Sequence, residues 1–164
     1  MYVTTLPSPL GNLYLASDGT ALTGLWIAGQ KYFASTLPAE VTENPSLPVF
    51  RQTEDWLRAY FAKAPLPSLP PLRPEGSPFR QAVWALLQEI PSGQTRTYGA
   101  LTQQLKAMGI PAAPQAVGGA VGHNPISILI PCHRCLGADG SLTGYAGGLE
   151  KKKFLLELEG ELLP

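Results

Sequence analysis

The chain has 164 residues, 45% of them hydrophobic, enough for one sizeable core or for a small domain leaning on a second. Its 12 lysines and arginines balance its 12 aspartates and glutamates, which argues against a generic nucleic-acid binder and confines any DNA contact to a local patch. No run of about 18 apolar residues occurs, and MYVTTLPSPLGNLYLAS lacks a basic segment followed by a long apolar one, so neither a membrane span nor a signal peptide is expected. A cytosolic chain is the default.

Residues 1–33 alternate short apolar runs with turn signals: YVTTL, Pro9-Leu10-Gly11-Asn12, LYLAS, Asp18-Gly19 and LTGLWIA. This predicts a small antiparallel sheet with a tight turn at Asp18-Gly19. In EDWLRAYFA, Trp56, Leu57, Tyr60 and Phe61 recur at helical spacing. The following APLPSLPPLRPEGSP holds six prolines within fourteen residues and reads as an extended linker, which divides the chain into domains of residues 1–72 and 73–164.

Past the linker, Ser77 is a candidate N-cap with Pro78 at the first helical position, and Phe79, Val83, Trp84, Leu87 and Ile90 share one face up to Pro91-Ser92-Gly93. A second helix is predicted from a Thr97 cap through Tyr98, Leu101 and Leu105 to Met108-Gly109, and a third through PQAVGGAVG. Two short helices, the second with a glycine-rich face, outline a helix-turn-helix, a weak signal on its own because helical hairpins are common in globular cores and plain core packing accounts for it. ISILI reads as a buried strand or extended segment, and the glycine-rich stretch after Leu136 as a loop. In the closing LEKKKFLLELEG, Phe154, Leu155 and Leu158 make a helical face, and Lys151 to Lys153 read as a solvated edge.

The stretch IPCHRC contains both cysteines of the chain, Cys132 and Cys135, around His133. A redox dithiol, half a metal site and a single nucleophilic thiol all fit that spacing. A free thiol is only a few per cent ionised at neutral pH, so a nucleophilic cysteine needs a partner that favours the thiolate. Adjacent residues in extended backbone point apart, so His133 reaches Cys132 only through a turn or a water. A carboxylate orienting the imidazole would complete a cysteine–histidine–acid relay.

Taken together, NPISILIPCHR (Asn124 to Arg134), TGYAGG (Thr143 to Gly148), FLLELEG (Phe154 to Gly160), IPSGQTRTYGAL (Ile90 to Leu101) and AVGGA (Ala116 to Ala120) resemble the O6-alkylguanine-DNA alkyltransferases in order and spacing. The resemblance covers residues 77–160 strongly and the N-terminal part more loosely. It implies an α/β two-domain fold: a small N-terminal antiparallel-sheet domain of the RNase H-like kind and a mainly helical C-terminal domain with a helix-turn-helix. It implies a monomer that binds double-stranded DNA containing O6-alkylguanine, flips the damaged base out and transfers the alkyl group irreversibly to Cys132, without an organic cofactor.

In that family pattern His133 activates Cys132 through a water and is held by Glu159. Asn124 braces the turn that bears the nucleophile, and Tyr98 hands a proton to the purine ring. Tyr145 forms a wall of the base pocket, and the backbone around Cys132, Cys135, Ala146 and Gly147 reads the base edge. The resemblance puts Thr97, Gln115, Ala116, Gly118, Gly119, His123 and Arg134 at the DNA.

The chain departs from the family pattern in places. The arginine that usually takes the flipped base's place is Gln115, and Lys106 is the one basic residue between Thr97 and Gly122. Cys135 stands where valine is usual, Ala146 lacks a hydroxyl, and Leu158 replaces a frequent histidine. Zinc-binding members use N-terminal cysteines and histidines, and residues 1–122 contain neither, so no zinc is expected. Two other classes remain as alternatives: an alkyl-lesion DNA-binding protein with weak or no transfer, and a thiol–disulfide oxidoreductase built on CHRC. The latter needs its first cysteine at a helix N-terminus, which Pro131 and the glycine-rich sequel disfavour.

Overall fold

The hairpin signals of the N-terminal segment become strands. In the computed structural model, which describes residues 1–142 and 144–160, β1 (Tyr2–Leu6) pairs antiparallel with β2 (Leu13–Ser17), and β2 with β3 (Leu22–Ile27). At the β2–β3 turn, Asp18 Oδ1 accepts from the backbone N–H of Thr20 and Ala21, and Gly19 supplies φ +110°. The sheet is mixed rather than antiparallel throughout, because β4 (Thr42–Glu43) adds to β1 in parallel and gives the order β3-β2-β1-β4. Both β4 residues are exposed, so no hydrophobic alternation marks them.

Helix α1 (Pro48–Phe61) buries Val49, Phe50, Trp56, Leu57 and Tyr60, and Trp56 stacks on Tyr60 with centroids 5.2 Å apart. Phe61 of the expected apolar face is only half-buried. The proline-rich segment is extended and partly enlisted by the sheet: Leu22 N donates to Pro71 O, and Arg73 N to Leu22 O, each at 2.8 Å. Proline suits such an edge because its carbonyl still accepts while its missing N–H is not required.

The chain divides into one compact unit of residues 1–75 with 125–127 and a second of residues 76–124 with 128–164. The first unit therefore reaches a few residues past position 72 and takes back a short piece of the later chain, where Leu25 N donates to Pro125 O at 2.8 Å.

In the second unit α2 (Pro78–Gln88) starts where capping chemistry places it, with Ser77 Oγ accepting from Arg80 N at 3.2 Å. Thr97 Oγ1 accepts from Ala100 N at 3.0 Å and caps α3 (Tyr98–Ala107). Helix α4 (Pro114–Gly122) follows after residues 108–113, and Trp84 of α2 donates its indole N–H to Ala120 O at 2.8 Å. Leu101, Leu105, Val117, Ala120 and Val121 are buried, so the inner faces of α3 and α4 belong to the core, while Gln115, Ala116 and Gly119 stay exposed.

ISILI is not a strand. Ile126 makes an isolated bridge with Leu25, and residues 127–129 turn. A 3-10 turn (Cys132–Arg134) leads into the two-residue β6 (Cys135–Leu136), which pairs in parallel with β5 (Arg96–Thr97). Helix α5 (Leu149–Leu158) closes the unit with Lys152, Leu155 and Leu156 buried. This corrects two expectations: Phe154 is 39% exposed, and Lys152 is a core residue rather than part of a solvated edge. No helix among the described residues is long and apolar enough to cross a membrane.

Candidate active site

The nucleophile turn is built by side chains that take over backbone hydrogen bonds. Asn124 Nδ2 donates to Ile130 O at 2.8 Å and closes residues 124–130 on themselves. Inside that turn Ile128 is buried with φ 73°, a left-handed conformation that costs a β-branched residue about 1–3 kcal/mol. Pro131, at φ −82° and ψ 67°, is the centre of an inverse γ-turn closed by Cys132 N donating to Ile130 O at 2.8 Å. The proline ring fixes φ near the value this turn requires. Cys132 thus enters the 3-10 turn already aimed, and the Asn124 side chain also hydrogen-bonds its thiol, an interaction that favours the thiolate.

His133 and Glu159 meet as expected. The imidazole is wholly buried, with Nε2 2.8 Å from Glu159 Oε2. An ionised carboxylate only accepts, so Nε2 carries the proton and Nδ1 is left as the bare acceptor. Nδ1 is buried and has no hydrogen-bond partner among the described residues. Burial holds the imidazole below its ordinary pKa against the pull of Glu159, so it is neutral at pH 7 and able to take a proton. Burial alone would raise Glu159, but His133 and then Arg134 hold it down at about 2.

Arg134, which the resemblance puts at the DNA, is the source of that second hold. Its Nε and Nη2 donate to the two Glu159 oxygens at 2.9 Å each, and Nη1 donates to Ile90 O at 2.5 Å. With the side chain 11% exposed and its fork engaged, the guanidinium orients Glu159.

Sequence reasoning missed Lys152. Its Nζ donates to Cys135 O at 2.5 Å and lies 6.0 Å from the centroid of the Tyr98 ring. Burial lowers the pKa of Lys152 itself, against the pull of the two thiols; in its protonated form it opposes the upward push that burial exerts on both thiols, Cys135 being raised to about 12. One lone pair of the Cys135 carbonyl is therefore taken from inside. A signal was available: Lys152, Leu155, Leu156 and Glu159 recur at i, i+3, i+4 and i+7, a single helical face.

Tyr98 follows directly on the β5–β6 pairing, which ties the start of α3 to the end of the nucleophile turn. Burial, and then the two thiols, raise its phenol well above the ordinary value, so it remains a proton donor at any working pH. Tyr98, Pro114, Gln115, Gly118 and Gly144 line an open cavity of about 390 Å³. Gly144, with φ +75°, makes room for the phenol: a Cβ there would lie 3.0 Å from Tyr98 Oη. Tyr145 is buried edge-on to His133, the ring centroids 6.5 Å apart at 84°. Ala146 and Gly147 form the turn before α5, whereas Thr143 of TGYAGG lies outside the described residues. The exposed Gln115, Ala116 and Gly119, with Gly118 beside them, make one surface of α4, and a Cβ at either glycine would meet nothing within 4 Å. His123 Nδ1 sits 2.8 Å from Gly119 O and ties that ring to the C-terminal end of the helix.

A buried thiol, a neutral histidine with one acceptor nitrogen and a clamped carboxylate, beside two short helices with a small-residue face, define a nucleophilic-thiol protein of the helix-turn-helix class. Residues 78–161 match the model of the 6-O-methylguanine DNA methyltransferase DNA binding domain, and residues 1–74 that family's ribonuclease-like domain. The chain belongs to the 6-O-methylguanine DNA methyltransferase family. It is 44% identical over 160 residues to a methylated-DNA–protein-cysteine methyltransferase of Haemophilus influenzae, covering 97% of this chain and 86% of that one. It is 43% identical over its whole length to that of Mycobacterium tuberculosis, covering 95% of the relative. The crystal structure of Mycobacterium tuberculosis OGT in complex with DNA superposes with a TM-score of 0.86 at 43% identity, over 97% of this chain and 92% of the other. A methyltransferase structure from Methanococcus jannaschii does so with 0.68 at 28% identity, over 98% and 96%.

Proposed function

We propose that this protein repairs DNA by direct reversal, moving the alkyl group from O6 of an alkylated guanine in duplex DNA to the sulfur of Cys132. The observation that carries this reading is the buried Cys132–His133–Glu159 arrangement beside Tyr98, in a chain of this family. His133 Nδ1 takes the thiol proton by way of one water while Glu159 and Arg134 keep the imidazole oriented. The thiolate, favoured by Asn124 and Lys152, attacks the alkyl carbon; the carbon–oxygen bond breaks, and the electron pair passes into the purine. Tyr98 donates a proton to the ring, so that guanine leaves neutral rather than as an anion. The thioether offers water no good leaving group, so each molecule acts once. The reaction needs no cofactor, and the reading includes a monomer in a reducing cytoplasm that keeps both thiols free.

The test is intact mass after incubation with duplex DNA carrying O6-methylguanine. One methyl group per molecule, mapped to Cys132, is the expected result; an adduct confined to Cys135, or tight lesion binding without any adduct, would overturn it, the second outcome pointing to a lesion-binding protein.

The DNA side is assigned to Gln115, Ala116, Gly118 and Gly119 on α4, with Thr97 and His123 at its flanks. Extruding a base costs a few kcal/mol, and glutamine brings neither a cation nor a stacking plane to fill the gap. Gln115→Arg should therefore speed repair of duplex lesions about tenfold, roughly 1.4 kcal/mol, and steepen the salt dependence of binding, while the reaction with free O6-benzylguanine hardly changes. The comparison is a pair of second-order rate constants, and equal gains on both substrates would place the flipping function elsewhere.

A further inference from the structure

The C-x-x-C spacing is only half used by this mechanism, since Cys132 reacts and Cys135 merely lines the site. The backbone relates the two more closely than sequence distance suggests. Arg134 N donates to Pro131 O at 3.0 Å, and Cys135 N donates to Cys132 O, so the two cysteines occupy the ends of one 3-10 turn. Cys135 caps that turn, and a rise of about 2.0 Å per residue sets the two Cα atoms about 6 Å apart. A disulfide spans Cα separations of about 4.4–6.8 Å. Both thiols are free and buried, and no other cysteine exists in the chain to compete. Each thiol lies within electrostatic reach of the other and of the Lys152 ammonium, so a single cation supports whichever sulfur is ionised.

We infer that Cys132 and Cys135 are an oxidation site, closing a reversible intramolecular disulfide when the protein meets hydrogen peroxide. In the first step the Cys132 sulfur attacks the peroxide, the O–O bond breaks, and Cys132 becomes a sulfenic acid while the other oxygen leaves as water. In the second, the Cys135 sulfur attacks that sulfenic sulfur, the S–O bond breaks, and the departing hydroxide takes up the Cys135 proton as a second water. Two thiols have lost two electrons and two protons, and one peroxide has been reduced to two waters. The disulfide withholds the nucleophile from alkyl transfer, and it also stops the sulfenic acid from proceeding to the irreversible sulfinic form. A thiol that can act only once is thereby kept recoverable.

The expected loss of transfer rests on the reading of Cys132 as the alkyl acceptor, whereas the mass change does not. Full-length protein is treated with hydrogen peroxide, then divided between intact mass with thiol titration and a benzylguanine transfer assay, before and after dithiothreitol. Wild type should lose two hydrogens and both titratable thiols, remain a monomer, and fall at least tenfold in transfer rate, with nearly all of that rate restored by the reductant. Cys135→Val and Cys135→Ser, each compared with its own untreated rate, should instead gain one or two oxygens on Cys132 and recover poorly. Protein already benzylated on Cys132 should lose no hydrogens. If alkylation itself fails while the two-hydrogen loss still occurs, the functional reading falls and the disulfide stands. Wild type that gains oxygens as the variants do, links to a second copy, or stays unchanged at peroxide levels that oxidise Cys135→Val would overturn the inference.

Discussion

Replacing Glu159 with glutamine should slow alkyl transfer at neutral pH at least tenfold and lower the stability of the fold by about 3 kcal/mol. The two losses have different origins. The amide leaves His133 without an anion to hold its Nε2 proton, so Nδ1 is no longer fixed as the acceptor. It also leaves the Arg134 guanidinium, 11% exposed, without the carboxylate that neutralises it. Stability should then depend on pH in a defined way. Folding depresses Glu159 from 4.5 to about 2, so its contribution is complete above the unfolded value of 4.5 and is lost as pH falls towards 2. The gap between those two values corresponds to about 3 kcal/mol. His133, held neutral by burial and so lowered from 6.5, acts earlier, because the unfolded chain binds its proton first as pH drops below that value. Wild type should therefore weaken in two stages on acidification. The difference between wild type and Glu159→Gln should shrink only in the second, below about pH 4.5. Denaturation curves for both proteins from pH 7 to pH 3, alongside benzylguanine transfer rates, decide the matter: an unchanged rate with a gap that is flat in pH would remove Glu159 from both roles.

The helices of the second unit were legible because their ends are encoded locally. Ser77, Thr97 and Gly109 each settle a terminus through one or two hydrogen bonds within their own turn, and Pro78 through its fixed φ. What eluded periodicity is what depends on distant partners. The run ISILI has the composition of a strand, yet the Asn124 side chain takes Ile130 O and bends the segment through a left-handed Ile128. Strand β4 has no apolar pattern at all, and its parallel pairing comes from the return of the chain to β1. In the site, His133 and Glu159 were found by resemblance and meet at 2.8 Å, while the ion pair of Arg134 with Glu159 was not legible from the sequence. Its partners, Glu159 and Ile90, are far along the chain in opposite directions. Lys152 was hidden by its neighbours: three successive lysines look alike, and only their position relative to Leu155 and Leu156 tells which one faces inward.

Lys152→Met should slow transfer at pH 7 by about ten- to a hundredfold without lowering stability. A cation within a few ångströms of a thiol typically lowers its pKa by about 1–3. Lys152 acts on Cys132 and Cys135 together, against the larger upward push of burial. Methionine keeps the length and flexibility of the side chain and fills the same space, but it brings no charge and no donor for the Cys135 carbonyl. The thiolate fraction at neutral pH should fall accordingly. Stability moves the other way, because keeping an ammonium in the core carries a desolvation cost that the variant escapes, roughly offsetting the lost hydrogen bond to Cys135 O. Loss of rate without loss of stability separates an electrostatic role from a structural one. Titration of Cys132 by a small thiol reagent should shift upward in the variant, and the rate deficit should narrow as the pH is raised towards the new thiol pKa. Lys152→Arg restores the charge but has to fit a planar fork where a compact ammonium sits, so it should recover only part of the rate. A Lys152→Met protein that transfers alkyl groups at the wild-type rate at pH 7, with an unchanged Cys132 titration, would show that Asn124 suffices to favour the thiolate and that the buried lysine serves packing alone.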